Sequence, residues 1–423
     1  MRRWTRRQFG CTAAATLVAA LGGRTARSQA KARVVVIGGG AGGATVAKYL
    51  AANSQNFDVT LVEPNRQHAT CFFSNLYLAG LCSFESLTHG YEALVQRYGI
   101  TVIHDAAAAT IDPVVKTITL ENGAKLSYDR AVVAPGIAFK YGAIDGYDEA
   151  TTQTLPHAWV AGPQTTLLRR QLEAMDDGGV FVLVVPADPS RCPTAPYERA
   201  CLVASYFQRH KPRAKILILD AKDSFFGQHL FQDAWNRHYP GMIEWLPAQF
   251  TGGIQAVDAK TRSIVTAGET FKATVANVIP PQMAGHLAQQ TGLADRSGWC
   301  PVDPLTFEST RQHGIHLVGD AIIAGAMPKS AVSANSQAKA CAIAVAASLS
   351  GSARLPSRLL STCYTFLTPN DAISNVSSFT PAEGTIKIAH FSMSTAREST
   401  ETRRWTAREA ERWYVAFTHD IFG

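Results

Sequence analysis

"ARVVVIGGGAGGATVAKYL" (Ala32–Leu50) is the stretch that decides the fold, because an apolar run, a glycine-rich turn and a second apolar run follow one another directly. This order predicts a buried strand, a tight loop and a helix. Gly38, Gly40 and Gly43 satisfy the spacing GxGxxG in that loop. The first glycine permits the turn, the second lets a pyrophosphate approach the backbone, and the third lets the helix pack on the strand. The stretch therefore predicts a dinucleotide-binding domain.

Three further elements add to this prediction, and the second and third of them favour FAD as the dinucleotide. "DVTLVEP" is a second apolar strand that ends at Glu63, where an acid that binds a ribose belongs. "GIHLVGDAI" is similar to the flavoprotein motif whose aspartate binds the ribityl chain, which makes Asp320 the candidate, although it would equally serve as a cap for the next helix. The helix that begins in "MPKSAVSANSQ" would direct its amino end at the flavin, with Lys329 either supporting negative charge on the reduced ring or lying in solvent.

A second strand–helix–strand unit begins with "VFVLVVP", but no glycine-rich loop follows it. The residues from Pro186 to Cys192 stand where an NADH-binding domain needs a second GxGxxG. Proline lacks an N–H group, so this loop would hold a pyrophosphate poorly, and we expect the nicotinamide site to be lost. Cys192 lies at the carboxyl end of the strand, where open α/β sheets place ligands. Glu198, on the helix that follows, is near enough to act as its base.

The order of these elements predicts an α/β fold with two Rossmann-like dinucleotide-binding domains of the disulfide-reductase flavoprotein type, plus a C-terminal α+β region. Each of the two strand–helix–strand units is followed by a hairpin, so the first domain is expected to be split around the second. The predicted segments are a leader at 1–30, an FAD-binding domain at 31–150 and 270–350, a second, NAD-like domain at 151–269, and a C-terminal interface and active-site domain at 351–423.

The amino-terminal residues account for the basic charge of the chain. Six of the 40 Lys and Arg residues, and none of the 33 Asp and Glu residues, lie in residues 1–30, so the formal charge of +7 falls to about +1 without them. "TRRQFG" followed by a short apolar run is typical of a Tat export signal, which predicts a periplasmic protein. The remaining balance does not indicate nucleic-acid binding, and no later stretch is long and apolar enough to span a membrane.

The cysteines left after the leader are the main candidates for chemistry. None shows the spacing CxxC or CxxCH, so the sequence indicates no standard metal site and no haem attachment. Cys363, in "LLSTCYTFLTP", is the best candidate for a partner of Cys192, although the sequence does not settle the pairing. Cys71 is either a thioether attachment point for the flavin or a small buried thiol. The pairing of the other cysteines is open, and these are Cys82, Cys201, Cys300 and Cys341.

Twelve stretches in conserved order give the mature chain a family resemblance along nearly its whole length. They are "VVVIGGGAGG", "TCFFSN", "HGYEAL", "YDRAVVAPGI", "LPHAWVAG", "RCPTAPYERA", "IPPQMAG", "GWCPVDPLTFES", "IHLVGDA", "MPKSAVSANSQ", "TCYTFLTP" and "HDIFG". With these motifs the chain resembles the flavoprotein subunit of flavocytochrome c sulfide dehydrogenase, including the Sox-associated flavoproteins. It departs from the pattern at Cys201 and Cys341, and at Ala331-Val332, where Gly-Tyr is expected.

The resemblance implies a function and a role for each candidate residue. Cys71 would carry FAD covalently, Cys192 and Cys363 would form a redox disulfide beside the flavin, Glu198 would be the base, and Trp413 would line the pocket. Sulfide would be oxidised to sulfur or polysulfide, and the electrons would pass through FAD to a separate c-type cytochrome subunit. Two alternatives stay open, a sulfide:quinone oxidoreductase and a non-enzymatic flavoprotein that supports a sulfur-oxidising partner.

Overall fold

A computed structural model describes residues 31–53, 56–353 and 357–423 of the 423-residue chain. The predicted export signal at 1–30 lies outside the described residues.

The strands and helices are numbered along the chain. The strands are β1 (Ala32–Ile37), β2 (Phe57–Val62), β3 (Gln67–Ala69), β4 (Thr88–Gly90), β5 (Thr101–Ile103), β6 (Ala108–Asp112), β7 (Thr117–Leu120), β8 (Lys125–Ser127), β9 (Arg130–Val133), β10 (Ile137–Phe139), β11 (Val180–Val185), β12 (Lys215–Asp220), β13 (Ile243–Leu246), β14 (Ile254–Asp258), β15 (Ser263–Thr266), β16 (Thr270–Lys272), β17 (Val275–Val278), β18 (Gln282–Ala284), β19 (Ile315–Leu317), β20 (Leu359–Thr368), β21 (Asp371–Ala382) and β22 (Thr385–Met393). The helices are α1 (Ala41–Asn53), α2 (Ser74–Leu78), α3 (Glu92–Tyr98), α4 (Pro163–Ala174), α5 (Ala195–His210), α6 (Gln228–His238), α7 (Ala248–Thr251), α8 (His286–Gln290), α9 (Ala331–Ser350) and α10 (Thr400–Phe422), with 3-10 turns at Glu85–Leu87 and Thr151–Gln153.

The first sheet is parallel and has the strand order β19-β9-β1-β2-β5. β1 lies between β9 and β2, so the glycine-rich loop leaves the sheet where the direction of strand succession reverses. Ligands bind at this switch point in open α/β sheets. The hairpin β7–β8 turns at the predicted Asn122-Gly123, where Gly123 has a φ of +83°, a conformation that glycine adopts readily.

The second sheet is also parallel and has the order β13-β12-β11-β17. β17 pairs with β11, with Val275 opposite Phe181, so the second domain extends past the predicted boundary at residue 269. The apolar run of β17 indicates a buried strand but carries no local signal of which sheet receives it, and the prediction was wrong here. The first domain resumes near β18, which pairs antiparallel with β10.

The C-terminal region contains the antiparallel sheet β20-β21-β22, followed by the long helix α10. The end of α10 is fastened to the first domain by the Asp420 carboxylate, which accepts hydrogen bonds from Tyr49, Asn335 and Lys339. The predicted fold class, two Rossmann-like domains plus an α+β region, is therefore confirmed. Within the described residues, no helix combines the length and apolar character needed to cross a bilayer.

Candidate active site

A cavity of about 430 Å³ lies where the first domain, the second domain and the C-terminal sheet meet. Five of the residues selected from the sequence line it, and these are Cys71, Cys192, Glu198, Cys363 and Trp413. They come from segments that are more than 340 residues apart at the extremes, so only the tertiary fold brings them together.

Cys192 lies in the loop between β11 and α5. Its φ of +51° is in the left-handed region, which residues other than glycine rarely adopt. The loop is attached to the first domain, because the Cys192 N–H donates to the Lys329 carbonyl at 2.8 Å and the Arg191 N–H donates to Gln282 Oε1 at 2.8 Å. Burial, with the neighbouring Cys71 and Cys363 thiols, raises the pKa of Cys192 well above its usual value, and the Arg191 guanidinium opposes that rise.

Cys363 approaches the same cavity from β20. Its Sγ lies 3.6 Å from Thr365 Oγ1 and 3.9 Å from Thr194 Oγ1. Thr194 is at the N-cap of α5, yet its hydroxyl makes no capping hydrogen bond and turns to the Cys363 side instead. Burial raises the pKa of Cys363, and the two threonine hydroxyls lower it. Every cysteine that the structure describes, Cys363 included, carries a free thiol.

Glu198 is in the first turn of α5, and both of its carboxylate oxygens accept hydrogen bonds. Oε1 accepts from the Phe366 N–H at 2.9 Å, and Oε2 accepts from Asn75 Nδ2 at 2.7 Å. Burial raises the pKa of Glu198 to about 7, against the opposing effects of these two donors and of Arg199. A carboxyl group with a pKa near neutrality can exchange a proton with a bound reactant at physiological pH.

Sequence reasoning missed three residues around this carboxyl group. Arg199 is 1% exposed and Asn75 is 5% exposed, and both line the cavity, as does Thr194. The sequence offered one signal. Arg199 is a charged residue that directly precedes the stretch "ACLVASYF", and arginine is seldom found in so apolar a context.

The glycine-rich loop has the shape that a pyrophosphate needs. Gly38 has a φ of +95°, and a Cβ there would lie 2.3 Å from the Ala134 carbonyl oxygen. A Cβ on Gly43 would lie 1.9 Å from the Gly38 carbonyl oxygen, whereas a Cβ on Gly40 would find its nearest neighbour, His68, at 3.4 Å. The first and third glycines are therefore required by the protein itself, and the second leaves a face open to a ligand.

Glu63 and Asp320 are the two acids at the predicted nucleotide site. Glu63 ends β2, and its Oε2 accepts from the Gly39 N–H at 2.8 Å. The side chain of Asp320 is 13% exposed, with Oδ2 at 4.0 Å from Arg191 Nε, and its buried Oδ1 has no donor among the described residues. A buried carboxylate oxygen without a partner costs free energy, so this atom fits a hydroxyl group of a bound ligand. The residues present therefore fit FAD.

Lys329 lies differently from either expectation. Its ammonium group donates to the carbonyls of Asp320 and Ile322, both at 2.8 Å, and lies 3.7 Å from the centre of the Trp299 ring. Burial lowers the pKa of Lys329 to about 8. Its side chain is not among the described residues that line the cavity. The amino end of α9 does line it, through Ser330, Ala331 and Val332.

The second domain shows no opening for a nucleotide at the equivalent of Glu63. Asp220, which ends β12, is fully buried and accepts hydrogen bonds from Tyr197 at 2.5 Å and Trp245 at 3.0 Å. Lys222 Nζ lies 2.8 Å from the same carboxylate. Phe225 stacks on the Tyr197 ring, with centroids 3.5 Å apart. Side chains of the protein therefore bond to the carboxylate that a ribose would use.

Aromatic side chains form the wall of the cavity beside Cys71. Trp413 stacks on Phe417 with ring centroids 4.8 Å apart, and Phe73 stacks on Tyr414 at 4.5 Å. Phe72 packs between the two pairs. α10 thus contributes the Trp413 ring to the wall of the cavity.

The chain matches three family models. They are pyridine nucleotide-disulphide oxidoreductase at residues 32–161, sulfide dehydrogenase (flavocytochrome c) flavoprotein chain, central, at 165–280, and flavocytochrome c sulphide dehydrogenase, flavin-binding, at 356–422.

Similar proteins fall into two groups. The mitochondrial sulfide:quinone oxidoreductase of Mus musculus is 25% identical over 68% of this chain, and the match covers 65% of that protein's length. The sulfide dehydrogenase (flavocytochrome c) flavoprotein chain of Chlorobaculum thiosulfatiphilum is 58% identical over 43 residues, which are 10% of this chain and 90% of that sequence. The solved structure of the Aquifex aeolicus sulfide:quinone oxidoreductase superimposes with a TM-score of 0.71 at 16% identity, covers 92% of each chain, and supports the fold. The chain therefore belongs to the family of flavoproteins that includes the flavoprotein chain of flavocytochrome c sulfide dehydrogenase and the sulfide:quinone oxidoreductases.

Proposed function

We propose that the chain oxidises sulfide with a bound FAD and passes the electrons to a c-type cytochrome subunit. The observation that carries the proposal is the convergence of Cys192, Cys363 and Glu198 on one cavity. Two thiols and a carboxyl group with a pKa near 7 are the groups that a disulfide-based oxidation needs. The family models for the central and flavin-binding regions support the same activity.

The chemistry begins with the oxidised Cys192–Cys363 pair. Hydrosulfide attacks one sulfur, the S–S bond breaks, one cysteine becomes a persulfide and the other leaves as a thiolate. Glu198 takes the proton of the attacking sulfur. A second hydrosulfide removes the outer sulfur as hydrogen disulfide, which leaves two cysteine thiolates. A bound FAD would supply the two-electron acceptor that the two thiolates need to re-form the disulfide. The sum is two hydrosulfide ions giving one hydrogen disulfide ion, one proton and two electrons.

We further propose that Cys71 holds the flavin covalently. Its position in the wall of the cavity, next to the aromatic rings of Phe72 and Phe73, supports the proposal. The mass of the denatured protein tests it, because a thioether retains the mass of FAD whereas non-covalent flavin is lost. We expect Cys71→Ala to remove the extra mass and Cys82→Ala to keep it. A denatured unsubstituted protein with the mass of the bare chain would contradict the covalent bond.

The second candidate acceptor is a quinone, and the extended matches to mitochondrial sulfide:quinone oxidoreductases favour it. The matches to flavocytochrome c proteins favour the cytochrome. We expect anaerobic sulfide oxidation by the purified full chain to reduce cytochrome c faster than a soluble quinone. Reduction of the quinone alone would replace the proposed acceptor. Absence of turnover with sulfide and any artificial acceptor would indicate the non-enzymatic role.

A further inference from the structure

Glu198 is held by residues from every part of the chain that forms the cavity. It belongs to the second domain, and its oxygens accept from Phe366 of the C-terminal sheet and Asn75 of the first domain. Asn75 makes two more hydrogen bonds. Its Nδ2 donates to the Ala195 carbonyl at 3.1 Å, and its Oδ1 accepts from Arg199 Nε at 3.0 Å. The amide thus lies between the carboxylate of Glu198 and the guanidinium of Arg199.

The chemistry of its neighbours fixes the orientation of the Asn75 amide. Arginine has donors and no acceptor, so the atom that faces Arg199 must be the amide oxygen. The Ala195 carbonyl is an acceptor, so the atom that faces it must be the amide nitrogen. With the amide held in this way, its N–H group always points to Glu198. The neighbouring cation also polarises the amide and strengthens the hydrogen bond that its nitrogen donates.

Arg199 is itself fixed by four hydrogen bonds and has no freedom to follow a moving carboxylate. Besides Asn75, it donates to the carbonyls of His157 and Ala158 at 3.2 and 2.8 Å and to Asn277 Oδ1 at 2.6 Å. Its guanidinium carbon lies 5.0 Å from the Trp159 ring centroid. A buried arginine with this many fixed partners acts as a stationary positive charge.

We propose that Asn75 and Arg199 are positioning residues for Glu198: Asn75 holds the carboxylate towards the two thiols, and Arg199 acts through Asn75 to stabilise its ionised form. The role of Glu198 as base rests on the proposed function, but the effect of Asn75 on its ionisation does not. The other titratable groups that interact electrostatically with Glu198 are Cys201 on its own helix and Cys363 on β20. Neither is a cation, so Arg199 is the positive charge that favours the carboxylate.

Substitution of Asn75 by aspartate gives the sharpest test, because it keeps the size of the side chain and replaces the donor by a like charge. We expect Asn75→Asp to raise the pKa of Glu198 by about one pH unit or more. Asn75→Ala removes the donor without adding a charge and should raise it less. The matched control is Asn335→Asp, because Asn335 is also buried and donates to a carboxylate, Asp420, that does not line the cavity. This control substitution should leave the pKa of Glu198 unchanged.

Ionisation of Glu198 can be read without turnover, from the infrared band of its protonated carboxyl group in the full-length holoprotein. The band is assigned by its loss in Glu198→Gln. The proposal requires a titration midpoint near pH 7 that moves upwards in Asn75→Asp and stays in place in Asn335→Asp. A midpoint in Asn75→Asp that stays unchanged, moves downwards, or rises by less than about half a unit overturns the proposal, as does the absence of a titrating band that Glu198→Gln removes.

A kinetic measurement separates positioning from general damage to the structure. If Asn75 acts through the ionisation of Glu198, the rate of flavin reduction by sulfide in Asn75→Asp should be low at neutral pH and recover at higher pH, with KM unchanged. A loss that is equal at every pH contradicts the positioning role. If sulfide reduces the flavin of no variant, including the unsubstituted protein, the proposed function fails, while the infrared result still decides the role of Asn75.

Discussion

The two parallel sheets each contain a central strand, β1 or β11, that runs into a loop and then a helix, but the two loops hold different groups. The loop after β1 contains glycines, and the absent side chain of Gly40 leaves a face open to a ligand. The loop after β11 contains three prolines, is attached to the first domain by the Cys192 N–H, and directs Cys192 into the cavity. Both loops are at the carboxyl end of a strand, where the fold places ligands.

The acids that end the neighbouring strands show the same contrast. Glu63 bonds to the backbone of the open glycine loop, with a 9% exposed side chain. Asp220 is fully buried, and its carboxylate is bonded by Tyr197, Trp245 and Lys222. One scaffold therefore serves two purposes. The first copy has the shape that a dinucleotide needs, and the second is filled with side chains and carries Cys192, the thiol for which we propose a redox role.

Loss of either cysteine should have the largest effect. We expect Cys192→Ser and Cys363→Ser each to slow sulfide-dependent flavin reduction by roughly a thousandfold or more, because a hydroxyl group cannot form the disulfide that hydrosulfide attacks. Anaerobic stopped-flow spectroscopy of the flavin measures this rate. Cys82→Ser is the matched control, since Cys82 is also half-buried and does not line the cavity. Full reduction rates in both active-site variants would refute the role of the second loop.

The glycine loop should respond in flavin binding and not in chemistry. Gly40→Val fills the face left open to the ligand, so we expect it to cost about 1–3 kcal/mol of binding free energy, or about five- to 150-fold in affinity. Ala187→Val makes a similar addition at an exposed position of the second loop and should not change the flavin content. The absorbance ratio of flavin to protein after purification compares them. Equal flavin content in the two variants would remove the distinction between the loops.

The pH dependence tests Glu198 as the base. Because burial raises the pKa of Glu198 to about 7, the group is protonated below that pH and can accept a proton only above it. The rate of flavin reduction should therefore fall about tenfold per pH unit below pH 7. Glu198→Gln should lower the rate of flavin reduction and remove the part of the pH dependence that the carboxyl group causes. The ionisation of hydrogen sulfide to hydrosulfide affects both proteins equally. The ratio of their rates at each pH therefore isolates the contribution of Glu198. A ratio independent of pH would exclude Glu198 as the base.

The smallest effect is expected at Asp220 in the second domain, where side chains bond to the carboxylate. Tyr197→Phe removes one hydrogen bond to Asp220, which should lower the free energy of unfolding by about 1–2 kcal/mol without changing flavin content. Tyr91→Phe removes one hydrogen bond to the Gly39 carbonyl in the glycine loop and should lower both quantities. Urea unfolding and flavin absorbance measure them. If Tyr197→Phe also lost flavin, the Asp220 cluster would have more than a structural role.

The parts of this molecule that could be predicted are those with a local signature. GxGxxG after an apolar strand, the Asn122-Gly123 turn and the missing glycines after β11 each depend on a few consecutive residues. The grouping of Cys71, Cys192, Cys363 and Trp413 required the family resemblance, because no pattern within one segment reports a contact with another.

Other features depend on tertiary contacts alone. The sheet that receives β17 is set by pairing with β11 across about 90 residues of chain. The amide of Asn75 meets Glu198 only because α2 packs against α5. Two backbone carbonyls and the Trp299 ring determine where the ammonium group of Lys329 lies. The position of Lys329 beside α9 in the sequence does not reveal these contacts.

The most direct test of the account compares two reductants on the unsubstituted full-length holoprotein under anaerobic conditions. The first loop leaves a face open to a ligand at Gly40, and the second loop presents Cys192 where a nicotinamide site would need glycines. We therefore predict that sulfide bleaches the flavin absorbance rapidly and that NADH, at the same concentration, does not. Rapid bleaching by NADH with no response to sulfide would contradict the account.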